Sequence, residues 1–201
     1  YHPFFFKYNM RSYTVHTAST VQVVTTAEAK NHLKIDTTTD DTLIDNLIKS
    51  ATQLSEEYTN RFFTDTVLIQ YGTTFKDIKE LYKSTVSTIT HIKYYDTDNT
   101  LQTWNSDFYY LNKSIQPAQI SLSLNESYPS IADREHAVQC QYTVGYGSAA
   151  SDVPEAIKQA ILLTVGNWYN NRSSVVVGRI ATDLPLNVKW LLDTYKVQVV
   201  R

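Results

Sequence analysis

A single cysteine, Cys140, serves 201 residues, so no internal disulfide can form. The chain must hold itself together by packing, and it suits assembly in a reducing cytoplasm. No apolar run approaches the ~20 residues that cross a bilayer, which predicts no membrane partner. The opening YHPFFFKYN has only three consecutive phenylalanines, short of the apolar region of a signal peptide. Met10 can be the natural start, which makes residues 1–9 an upstream extension or a cloning remnant. Concentrated charge of one sign is missing as well. The net charge is −2, divided as −1 over residues 1–63, −4 over 64–152 and +3 over 153–201. No segment forms a polybasic arm for nucleic acid or anionic lipid. Repeats and low-complexity tracts are absent.

The chain also lacks the constellations that carry chemistry. His2, His16, His32, His91 and His136 form no i,i+4 pair and no HExxH, so no metal site is predicted. Phosphate-cradling glycine loops and the nucleophile-elbow motif are missing. Gly145-Tyr146-Gly147 reads as the bend between a strand and a helix. Asp96, Asp98, Thr100 and Asp107 match positions 1, 3, 5 and 12 of a calcium loop. Leu101 sits where that loop needs glycine, however, and the last position lacks glutamate, so a hairpin turn is the better reading. Cys140 lies in the alternating run QCQYTV and reads as a packed thiol rather than a nucleophile. Asn112, Asn125 and Asn171 begin Asn-x-Ser sequons, which carry no weight without secretion. No cofactor and no enzymatic activity are predicted.

What the sequence does contain is 42% hydrophobic residues, enough for a sizeable core. Its organising stretch is Pro154 to Arg172, PEAIKQAILLTVGNWYNNR, which reads as one helix with Pro154 in the first turn and Asp152 or Ser151 as cap. Ala156, Ile157, Ala160, Ile161, Leu163, Val165 and Trp168 fall on one broad face. The opposite stripe carries Glu155, Lys158, Gln159 and Asn170, but also Leu162, Gly166 and Tyr169. Either another part of the chain or a second subunit must cover those three. A second amphipathic helix spans about Asp40 to Phe62, with Leu43, Ile44, Leu47, Ile48, Ala51, Leu54, Tyr58 and Phe62 on one side. It is expected to pack on Ile157, Ile161 and Trp168. A shorter helix, Ala27 to Lys34, is capped by Thr25 or Thr26 with Glu28 as capping-box partner, and Asp36 to Asp41 is a turn.

From Thr64 the hydrophobic period changes to two. Val67–Tyr71, Val86–Tyr95, Thr100–Trp104, Phe108–Leu111, Gln119–Leu124 and Val138–Val144 read as strands of an antiparallel insert. A hairpin turn is expected at Asp96 to Asn99, and Ser12 to Val24 favours extended backbone. Fifteen tyrosines can serve core, interface or carbohydrate stacking. A final helix, about Leu186 to Lys196, follows the Asp183-Leu184-Pro185 start signal and is expected to bury Leu186, Trp190, Leu191 and Tyr195. The expected core therefore centres on Leu43, Leu47, Leu54, Tyr58, Ile157, Ile161, Trp168 and Trp190. The fold class is α+β: a helical core from 25–63 and 153–201, an inserted antiparallel β domain at 64–152, and an N-terminal extension at 1–24.

The stretches TTAEAKNHLKID, DDTLIDNLIKSATQLSEEYTNR, YTVGYG, VPEAIKQAILLTVGNWYNNR and VVVGRIATDLPLNVKWLLDTYK, in that order, resemble a known family. They are similar to the head–tail connector (adaptor) proteins of long-tailed bacteriophages and phage-derived gene transfer particles. The resemblance covers residues 25–196 and departs at Asn170-Asn171, where an acidic residue often precedes the arginine, and in the extension before Thr25. It implies a virion neck protein, assembled in the bacterial host cytoplasm as a ring, usually of twelve copies, below the portal protein. The ring would lengthen the channel for double-stranded DNA, without sequence-specific binding, and would receive head-completion (stopper) or tail proteins. Ring neighbours would then cover Leu162, Gly166 and Tyr169. Arg172 and the extended Val175, Val176, Val177, Gly178 and Ile180 complete the candidate partner surface, the extended segment by strand addition. A carbohydrate-binding or decorating β-rich virion module is the alternative.

Overall fold

The computed structural model describes residues 12–83, 85–171, 175–176, 179–180 and 185–197. The chain is α+β and divides into two compact units. One comprises residues 18–66, 83–87 and 144–201, the other residues 1–17, 67–82 and 88–143.

The first unit is helical. Helix α1 (Thr26–Leu33) begins at Thr25, whose hydroxyl accepts the Glu28 N–H at 3.2 Å while the Glu28 carboxylate accepts the Thr25 N–H at 2.7 Å. This reciprocal cap satisfies backbone donors that the first turn would otherwise leave open, and it holds the Glu28 carboxyl below its ordinary pKa. Helix α2 (Asp41–Thr59) ends at Asn60, which turns left-handed at φ 56°, a conformation asparagine tolerates. Helix α3 spans Glu155–Asn170 and α4 spans Leu186–Asp193. Pro154 stands just before α3, not inside it. Asp152 closes a preceding 3-10 turn by accepting the Ala149 N–H at 3.0 Å. Asp183, the expected start signal of α4, lies outside the described residues.

The core of this unit is built on Ile44, Ile48 and Ala51 of α2, Ile157, Ala160, Ile161 and Val165 of α3, and Val188 and Leu192 of α4. Leu47, Tyr58 and Trp168 are half-buried against it, and Leu43 and Leu54 are also only half-buried. The buried stripe of α2 continues instead through Ser55 and Thr59. Their hydroxyls donate to the carbonyls of Ala51 and Ser55 at 2.8 Å, as Thr164 does to Ala160, so these polar side chains enter the core already satisfied. Arg61, 6% exposed, donates from Nε to the Tyr195 carbonyl and from a guanidinium nitrogen to the Thr85 hydroxyl at 3.3 Å. It fastens the end of α2 to the segment after α4. One expectation fails here: Trp190 is 68% exposed and Leu186 62% exposed. Val188 and Leu192 lie on roughly the opposite side of the helix and supply its buried contacts.

The second unit is built on a five-stranded sheet of β1 (Ser12–Thr17), β2 (Thr66–Gly72), β3 (Val86–Tyr95), β4 (Leu101–Trp104) and, beyond the hairpin of β5 (Tyr109–Asn112) and β6 (Gln119–Leu122), β7 (Val138–Val144). The strand order is β1-β2-β7-β3-β4. Of the Ser12 to Val24 stretch, Ser12–Thr17 pairs antiparallel with β2. The Asp96 turn forms as expected, its carboxylate accepting the N–H groups of Asp98 at 3.1 Å and Thr100 at 2.9 Å. Both β2 and β7 alternate strictly between buried and half-buried residues, and Gln70 is fully buried on β2. Its amide donates to the carbonyls of Asp77 (3.1 Å) and Glu80 (2.9 Å), and its oxygen accepts from the Tyr82 N–H (3.2 Å) and the Tyr142 hydroxyl (3.1 Å). One side chain thus satisfies the backbone of the β2–β3 connection. Back in the helical unit, the last two strands, β8 (Val175–Val176) and β9 (Arg179–Ile180), pair antiparallel with each other.

Candidate assembly surface

Among the described residues no group of three or more His, Cys, Asp or Glu side chains is placed to hold a metal ion. The Cys140 thiol is fully buried, and burial pushes its pKa up. One carboxyl is pushed upward, Glu56 on α2: burial raises its pKa to about 7, against the opposing pull of the Phe63 N–H it accepts at 2.8 Å and of Lys83. This group sits where a helix end turns back into the core, a structural position.

Two surface features of the helical unit remain. The first is a half-open hollow of about 250 Å3 between α1 and the N-terminal half of α3, lined by Val24, Glu28, Asn31, His32, Glu155, Lys158 and Leu162. Of its lining residues only Val24 and Leu162 are apolar, and Val24 is 1% exposed, so the surface it offers is mostly polar. Its rim is charged: Lys158 reaches Glu155 at 3.4 Å, and Glu155 is 83% exposed. The second feature is the outer side of α4. Leu186 and Trp190, one turn apart, form an apolar knob, because the helix has committed Val188 and Leu192 to the core. No α4 residue lines the hollow.

The expected stripe of Leu162, Gly166 and Tyr169 is met by α1 of the same chain. A Cβ at Gly166 would lie 3.5 Å from His32 Nε2 and 3.8 Å from Leu33. Leu162 and Tyr169 are half-buried against the core, and the Tyr169 hydroxyl donates to Asp40 at the start of α2. The distances at Gly166 are ordinary contact distances, so α1 lies against α3 at this position without depending on the missing side chain. Arg172, Val177 and Gly178 lie outside the described residues. Val175 and Val176 pair with Ile180 and Arg179 in a two-stranded ribbon. The α4 knob was missed by sequence reasoning because Trp190 and Leu186 look like core residues. The signal was present in Val188 and Leu192, an i,i+4 pair that supplies a complete buried stripe by itself.

A fold in which helices bury one another beside an antiparallel sheet, with no metal-holding cluster among the described residues, belongs to the α+β class. Comparison with known families narrows that class: the model of the head completion protein family matches residues 22–197, and the chain belongs to that family. Three solved chains share the fold at 18% identity, each match covering 94% of this chain and 97% of the other. One comes from the neck of an empty gene transfer agent particle computed with C6 symmetry, at a TM-score of 0.75. The others come from the virion of a native gene transfer agent particle (0.74) and from the neck of a native particle computed with C12 symmetry (0.72). Among curated proteins none matches.

Proposed function

We propose that this protein is a neck component of a tailed, phage-like particle. Copies of it form a closed ring below the portal protein, lengthen the DNA channel and receive a head-completion or tail protein on the far side. The observation that carries the reading is the family match over residues 22–197, joined to a fold shared with neck chains along 94% of the sequence. The C6 and C12 symmetry of those necks supports a ring, of twelve copies, for this chain as well. The helical core of residues 25–63 and 153–201 is the ring-forming body in this reading, and residues 64–152 are an insert. Its role is mechanical, not catalytic, and its place is the virion neck after assembly in the host cytoplasm.

A net charge of −2 suits a conduit, since many lumenal cations would hold phosphates and retard a sliding duplex. The carbohydrate-binding alternative has less to stand on. Phe75, Trp104 and Tyr109 are buried, with ring centroids 4.9 Å apart for Phe75–Trp104 and 4.8 Å for Trp104–Tyr109, so they pack on each other and offer no open stacking platform. Deleting the gene from its particle tests the proposal. DNA-filled heads without tails are expected, rescued by the wild-type protein in trans. Normal yields of tailed, infective particles from the deletion would reject it.

A further inference from the structure

We draw no further inference here: the strongest candidate, the apolar surface patch that Leu186 and Trp190 expose on the outer side of α4, carries nothing, because nothing in the structure shows what covers it.

Discussion

Glu56 illustrates how one residue can tie stability to pH. Its carboxyl ends up beside the N–H of Phe63, with burial raising its pKa from 4.5 to about 7, the attraction of Lys83 partly opposing and the neighbouring Glu57 adding to the rise. The folded chain therefore binds a proton here that the unfolded chain has already released between about pH 4.5 and pH 7. In that window stability falls as pH rises, by on the order of 3 kcal/mol in all, and it is flat above it. Glu56→Gln keeps the acceptor for Phe63 and removes the titration. The variant is expected to melt higher than wild type at pH 8, with the gap closing at pH 4 to 5. Thermal melts of both proteins across that range check it, and equal melting temperatures at pH 8 would mean the carboxylate is solvated.

At the scale of elements, the decisive fact is which helix covers which stripe. Leu162 and Tyr169 fall on the stripe of α3 that Lys158, Gln159 and Asn170 mark as outward, and on that pattern a change of both to glutamate should spare the monomer. With α1 lying against Gly166 and with Tyr169 bonded to Asp40, the opposite is expected. Leu162→Glu with Tyr169→Glu puts two charges against packed apolar surface and should cost about 3 kcal/mol or more. That is a fall of roughly 6 to 12 °C in melting temperature for a chain of this size. Trp190→Glu, on the exposed side of α4, should shift it by no more than about 2 °C. A double variant that melts like wild type would show that α1 does not hold this stripe.

For the whole molecule the governing quantity is charge. A chain at −2 with no basic run has little to release counterions with. Binding of the free protein to duplex DNA is expected to be weaker than about 10 μM at physiological salt and without sequence preference. Fluorescence anisotropy across a salt series checks this. Nanomolar binding, or a preferred sequence, would remove the passive conduit and point to a role in packaging.

Which elements exist was decided locally, and so was legible. The Thr25–Glu28 cap, the period of 3.6 through Ile44, Ile48 and Ala51, the period of two through β2 and β7, and the Asp96 turn each depend on residues a few positions apart, as did the α+β class. Order and spacing of such stretches also carried the family. Tertiary structure alone decided which apolar stripe of a helix turns inward. On α4 both Leu186/Trp190 and Val188/Leu192 were hydrophobic enough to be core, and the choice fell to the fit of Val188 and Leu192 against α2 and α3. On α3 the covering of Leu162 and Tyr169 depended on where α1 came to rest, which no periodicity within α3 encodes. The Gln70 network and the burial of Glu56 belong to the same class: each polar side chain acquires its role from backbone groups brought to it by the fold, and those partners exist only once the chain has closed around them.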